Sequence, residues 1–518
     1  MKTKWSDLKP RTAAALALIL GLVLGGCQLL RPAGGVPQPD YWPTEGWRTA
    51  PPESQGFDSS KLAEGLRGIQ ADGTRVHSLM VIRDGYVLLH ANFYPYDGST
   101  YHDLASVTKS VMTTLIGIAA DQGKLSLDDA MVSFFPDRTI AHLDERKQRI
   151  TVRHLATMTS GLECDPMTDT GDLRAMWASV DWMQYSLDRP VVAEPGVKWT
   201  YCGPSIHLLS AILQEATGMT ALEFARANLF APLGIRESYW VSDPQGYNRG
   251  WGDLSLFPED AAKLGLLMLQ GGRWEGRQIV SQDWVTEATK RHIGTNRGQD
   301  YGYGWWVSPA GEEIPYFSAD GRGGQFVRVF SGLNAVVATT GGGFEDMADV
   351  GNYLGAAIGD LEQPMPANPT GEAELESAIA EVGLAPAPEP VPPQADLAEV
   401  VSGNVYVFEP NPLQLLWMRL DFGDSSEATM QFEVSGEPSA RSVPVGLDGT
   451  LHLAPVREGA LGGARGEWTE PDTFVVEYDE IARIDAWSMS FVFRGDKLSL
   501  QLYSQSSPGL FSLQGVAE

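Results

Sequence analysis

Three cysteines in 518 residues are too few for a fold held together by many disulfides. The eight histidines are scattered, and no His-Glu-x-x-His or His-x-His pair occurs, so neither a metal nor any other cofactor is expected. The chain has no Gly-x-Ser-x-Gly stretch, which removes the nucleophile elbow of an α/β-hydrolase. It shows no long-period repeat, which argues against a solenoid. Basic residues are scarce: 38 Lys and Arg against 66 Asp and Glu leave a formal net charge of −28. A surface of that sign repels nucleic acid, which is not expected as a partner, and anionic lipid. What the chain has is 43% hydrophobic residues and enough length for more than one domain.

Long apolar runs are also rare, and the clearest is at the N-terminus. Lys2, Lys4, Lys9 and Arg11 precede an apolar run from Thr12 to Leu24, too short for an ordinary membrane-spanning helix. The run ends at Leu24-Gly25-Gly26-Cys27, which resembles the lipobox of bacterial lipoproteins. The resemblance implies a signal peptide over residues 1–26, lipidation of Cys27 and attachment to a bacterial membrane, facing the periplasm. Residues 27–50, rich in Pro and Gly towards their end, read as a tether. Cys164 and Cys202 then remain, and export to an oxidising compartment permits a disulfide between them.

Residues 51–362 mix helical and strand patterns. Leu79 to Leu89 reads as two strands around Asp84-Gly85. Ser106 to Gln122 has apolar residues at helical spacing and stops at Gly123. Further helices are expected over Ile206–Ala216 and Asp260–Leu269, and strands over Gln325–Val329 and Ala335–Thr339. Residues 363–396, rich in Pro, Ala and Glu, read as a linker with a short helix from Glu372 to Val382. Residues 397–518 are almost all strand-like, with a hairpin turn at Arg494-Gly495-Asp496-Lys497, and predict a small barrel or sandwich.

The chemistry concentrates at Ser106-Val107-Thr108-Lys109. On a helix, Ser and Lys three residues apart share a face, so the amine reaches the hydroxyl. Ser106 falls in the first turn, where unpaired N–H groups favour developing negative charge. A serine hydroxyl is a poor nucleophile until a neighbouring base takes its proton. Cys164 has no base assigned to it, and His102, though near in sequence, reads as structural.

Leu104-Ala105-Ser106-Val107-Thr108-Lys109-Ser110 resembles the active-site helix of the β-lactamase-related serine hydrolases, and His154 to Leu162 resembles a characteristic stretch of the same family. Glu194-Pro195-Gly196, Tyr201, Leu233-Gly234-Ile235 and Tyr301 to Trp306 follow in that family's order. The resemblance implies an antiparallel sheet sandwiched by helices, with a helical lobe, in an α/β (α+β) fold. It also implies that Tyr201 acts as base or proton relay beside Ser106 and Lys109. Tyr201-Cys202-Gly203 departs from the family's Tyr-x-Asn, and the loss of Asn puts β-lactam and peptide recognition in question more than acylation. A Cys164–Cys202 bridge would fix the Tyr201 loop. Gly321-Arg322-Gly323-Gly324-Gln325 registers with the family's third motif. On that registration Arg322, Gly323 and Gly324 contact substrate, and the backbone N–H groups of Ser106 and Gln325 form the oxyanion hole.

The resulting expectation is a serine hydrolase that cleaves a small ester or amide through an acyl-enzyme on Ser106. Within that class, a D-Ala-type carboxypeptidase or aminopeptidase and a weak β-lactamase are the alternatives. From another class, the alternative is a non-catalytic surface lipoprotein that binds a peptide or glycan.

Overall fold

The computed structural model describes residues 38–518 apart from 166–168, 345, 362, 424–425, 437–438, 458–459, 485 and 505–508. The lipobox and Cys27 lie outside the described residues.

Eight strands build the first sheet: β1 (Val76–Arg83), β2 (Tyr86–Asn92), β3 (Ile293–Gly294), β4 (Asp300–Tyr301), β5 (Trp306–Val307), β6 (Phe317–Gly321), β7 (Gln325–Phe330) and β8 (Ala335–Gly341). Their order is β2-β1-β8-β7-β6-β5-β4-β3, and every neighbouring pair is antiparallel. The turn at Asp84-Gly85 puts both residues at positive φ, the geometry that lets a two-residue hairpin follow strand twist. β1 reads as a continuous apolar run because both faces of the sheet are covered. Met80 and Ile82 enter one core with α2 (Val107–Asp121), α3 (Gly203–Thr217) and α4 (Pro258–Leu269). Leu79 and Val81 enter the other, with α1 (Ser59–Ala71), α5 (Ala348–Ala356) and α6 (Pro369–Gly383). This is the expected sandwich, with each β1 side chain assigned to a layer by the period-two alternation of a strand.

Helix α6 falls within the stretch read as a linker. Its Leu375, Ala378 and Val382 are buried in the same core as Leu62 and Leu66 of α1. The Pro-rich segment that follows, from Leu384 to Gln394, has no regular element.

The C-terminal strands are β9 (Val405–Phe408), β10 (Leu415–Phe422), β11 (Glu427–Val434), β12 (Arg441–Gly446), β13 (His452–Arg457), β14 (Ala460–Glu470), β15 (Thr473–Ile481), β16 (Ala486–Arg494), β17 (Lys497–Ser504) and β18 (Gly509–Ala517). They run β12-β11-β10-β9-β18-β17-β16-β15-β14, and a parallel pairing of Val445 and Gly446 with Ala464 and Arg465 closes the ring. β13 pairs on β14 beside that seam. Closure settles the choice between barrel and sandwich: a barrel leaves the ring no free edges. Alternate side chains, such as Met418, Leu420, Met430 and Phe432, fill its interior.

If α6 is integral to the hydrolase layer, Leu375→Ala will cost about 2–5 kcal/mol, the usual range for truncating a buried leucine. Urea unfolding of the two proteins measures this, and a change below about 0.5 kcal/mol would return α6 to the status of a linker.

Candidate active site

Ser106 stands at the N-cap of α2, and Ala105 before it has φ +45°, a left-handed conformation that costs a non-glycine residue about 1–3 kcal/mol. The strain is held by Asp103, whose carboxylate accepts the Ala105 N–H at 2.9 Å. One helical turn on, Lys109 is only 2% exposed. Its Nζ donates to Ser106 Oγ at 2.7 Å and to the Trp251 carbonyl at 2.8 Å. It also lies 4.6 Å from the centroid of the Tyr201 ring. Ser106 and Lys109 from one motif and Tyr201 from another, expected together, therefore converge on one point.

The flanking motifs form the frame of this point. The Met158 carbonyl accepts the Thr200 N–H at 2.9 Å, and the Thr159 carbonyl accepts the Gly196 N–H at 2.8 Å. The segment His154 to Leu162 thus carries the loop that presents Tyr201. Cys164 and Cys202 are joined by a disulfide with Cα atoms 5.7 Å apart, so the residue after Tyr201 is covalently tied to the same segment. Ser110 Oγ and Thr113 Oγ1 of α2 donate to the carbonyls of Gly304 and Tyr303 at 2.6 and 2.8 Å. This fixes Trp305 and Trp306 beside the helix. Gly203 starts α3 and offers no side chain where the family has Asn, and the Trp251 carbonyl accepts from Lys109.

Gly321 at the end of β6 comes against Ser106. A Cβ on it would stand 2.6 Å from the Leu104 carbonyl oxygen and 3.1 Å from Ser106 N, so only glycine allows this approach. Gln325 lies directly across the ladder from Gly321, and its side chain is committed to Gly341, bonding both its N–H and its carbonyl. Arg322 is exposed on the turn between them, where Gly323 and Gly324 have φ of +85° and +96°.

The barrel reaches this site. A Cβ on Gly323 would overlap Ile484, from the turn between β15 and β16. The Ala482 carbonyl accepts the Asp103 N–H at 3.0 Å, and Ile481 and Ala482 pack on Tyr96. Asp103 therefore links the barrel to Ala105, the residue before Ser106, bonding the barrel by its backbone and Ala105 by its carboxylate. His102 is buried beside it. Its Nδ1 donates to the Asp103 carbonyl at 2.8 Å, which leaves Nε2 to accept from His77 Nδ1 at 2.8 Å. Burial holds the His102 ring down to about 4 and His77 well below its ordinary value, so the pair is neutral. His102 is thus structural, as the sequence suggested.

A family profile described as Beta-lactamase matches residues 65–359, more than half of the chain. The protein belongs to the Beta-lactamase family. Over 229 residues the chain is 26% identical to the 6-aminohexanoate-dimer hydrolase of Paenarthrobacter ureafaciens, covering 41% of this chain and 56% of that protein. A stretch of 151 residues is 30% identical to the monacolin J acid methylbutanoyltransferase of Aspergillus terreus, covering 26% of this chain and 36% of that protein. The match thus spans between about a third and about a half of these curated relatives. Among solved structures, EstCE1, described as a hydrolase with promiscuous acyltransferase activity, superposes with a TM-score of 0.51 at 18% identity. It covers 58% of this chain and 99% of that one, and supports the fold.

Sequence reasoning did not single out Asp103, Trp251 or Arg297. Arg297 lies on the turn between β3 and β4, with its guanidinium carbon 4.8 Å from the Tyr201 ring centroid. No motif marks these residues. Asp103, three residues before Ser106, and Trp251, set between Gly250 and Gly252, carried the only local signals.

The neutral histidine pair gives a pH dependence with a defined sign. A ring that protonates near 6.5 when unfolded and near 4 when folded makes the unfolded chain bind more protons between those values. The contribution is neutral above about 6.5 and becomes a loss of stability as pH falls, reaching on the order of 3 kcal/mol near pH 4 for His102 alone. Urea midpoints from pH 7 to pH 4 will fall less steeply in His102→Gln than in the wild type; equal slopes would contradict the assignment.

Proposed function

We propose that the protein is a serine hydrolase that cleaves a small ester or amide through an acyl-enzyme on Ser106. The observation that carries this reading is the 2.7 Å contact between the buried Lys109 Nζ and Ser106 Oγ, beside the Tyr201 ring.

In the amine form, Lys109 accepts the Ser106 proton, with Tyr201 as relay, while Oγ attacks the carbonyl carbon. The tetrahedral oxyanion is held by the N–H of Ser106 and by the Gly321–Gln325 hairpin, with Gln325 the donor expected from the sequence; Arg322, Gly323 and Gly324 border the substrate. The carbon–oxygen or carbon–nitrogen bond then breaks, and the leaving group departs with the proton that came from Ser106. Water adds to the acyl-serine, the acid is released and the hydroxyl is restored. The strained Ala105 and its Asp103 tether keep Oγ in position for the attack.

Two relatives bear the names of a hydrolase and an acyltransferase, both compatible with an acyl-serine, and differ in what accepts the acyl group. A glycine in place of the family's Asn favours a simple ester or amide over a β-lactam. The proposal includes export and lipidation at Cys27, with the periplasm as location and a bacterial membrane as the attachment. The Cys164–Cys202 disulfide supports an oxidising compartment.

Intact-mass analysis after incubation with a fluorophosphonate probe tests the reading. One probe mass will be added to the wild type, mapped to Ser106, and none to Ser106→Ala. Folded wild-type protein that takes up no probe would favour a non-catalytic binding lipoprotein.

A further inference from the structure

The β3–β4 turn carries a cation over the active site that the mechanism above does not use. Arg297 places its guanidinium carbon 4.8 Å from the Tyr201 centroid, 5.8 Å from that of Trp199 and 6.0 Å from that of Trp306. The same Tyr201 ring lies 4.6 Å from Lys109 Nζ, which touches the nucleophile. Arg297 is therefore one aromatic ring away from the reacting hydroxyl.

The turn holds the residue firmly. Thr295 Oγ1 accepts the Arg297 N–H at 3.1 Å and donates to the Gln299 carbonyl at 2.5 Å. Gln299 Nε2 reaches Asp320 at 3.4 Å, next to Gly321. The three rings pack on one another, with Tyr201 stacked on Trp306 at 6.0 Å and Trp199 edge-on to Trp306 at 5.7 Å. All three are largely buried, so they form a rigid shelf. The guanidinium on this shelf is exposed and has no carboxylate partner among the described residues. In the same turn region Arg291 is paired with Asp300 at 3.0 Å. Acids outnumber bases heavily in this chain, so a guanidinium kept clear of them at the mouth of a site stands out. Among the described residues no hydrogen bond engages the Arg297 guanidinium, so its coplanar N–H donors are available to two oxygens at once.

We infer that Arg297 binds a carboxylate on the substrate, so that the ester or amide cleaved at Ser106 belongs to a molecule carrying an anionic carboxylate a few bonds from the scissile carbonyl. This rests on the serine-hydrolase reading and deepens it by naming the substrate class. Arg297 is here a substrate-binding residue, separate from Arg322 on the β6–β7 turn.

Matched ester pairs test it. In the first, the carboxylate is on the acyl side: mono-p-nitrophenyl glutarate against its methyl ester. In the second, it is on the leaving group: 4-carboxyphenyl acetate against the corresponding methyl ester. Each is assayed with the full exported chain, with Arg297→Gln and with Arg297→Lys. The expected result is a preference for the free acid of about tenfold or more in kcat/KM in at least one pair, as a charge-assisted hydrogen bond supplies. Arg297→Gln will bring that ratio to near one, and Arg297→Lys will restore part of it. Ratios near one in the wild type for both pairs, or a preference unchanged in Arg297→Gln, would overturn the inference. Fluorophosphonate labelling of the same samples separates the two levels: labelled protein with no acid preference refutes the carboxylate site alone, whereas unlabelled protein refutes the hydrolase reading beneath it.

Discussion

A lysine buried to 2% exposure must find polar partners, because a charged or strongly polar group taken out of water without them costs several kcal/mol. Lys109 finds them in the Ser106 hydroxyl and the Trp251 carbonyl. Much of the surrounding structure follows from that need. Helix α2 has to run beneath the sheet with its first turn at the Gly321 end of β6, and the Gly250–Gly252 loop has to bring a carbonyl to the amine. The Tyr201 loop has to lay an aromatic ring over it.

The second constraint is the strained residue before Ser106. Ala105 keeps its left-handed conformation because Asp103 accepts its N–H, and Asp103 is held in turn by the barrel through Ala482. Ile484 lies on Gly323 in the turn of the opposing hairpin. The C-terminal barrel thus touches both structures that flank Ser106 and is more than an appended module. Removing the barrel would free the Asp103 N–H and uncover Tyr96 and Gly323 together.

How much of this was legible in the sequence depended on the range of the interactions. The two strands around the Asp84-Gly85 turn and the spacing of α2 are local, and each is present in the structure. The ordered motifs brought Ser106, Lys109 and Tyr201 together because their mutual placement is a property of the family's fold. The disulfide followed from a count of two remaining cysteines. The helix expected over Glu372–Val382 is present as α6, but it read as part of a linker because its surroundings are Pro-rich, yet Leu375, Ala378 and Val382 already carried the spacing of a buried face. Barrel closure, the Trp251 carbonyl and the Arg297 guanidinium were not legible. Each is a contact between segments far apart in the chain, made by a backbone group or a surface residue that no motif marks. The cation over Tyr201 depends on a five-residue turn whose reach is set by Thr295 and Gln299.

The central claim is that the amine of Lys109 drives acylation of Ser106, and pre-steady-state acylation by a p-nitrophenyl ester tests it most directly. Comparing the wild type with Lys109→Met, the account predicts that the burst of p-nitrophenol slows by about 10²–10⁴-fold, the range expected for loss of a general base, with circular dichroism unchanged. A burst of wild-type rate in the folded variant would contradict it.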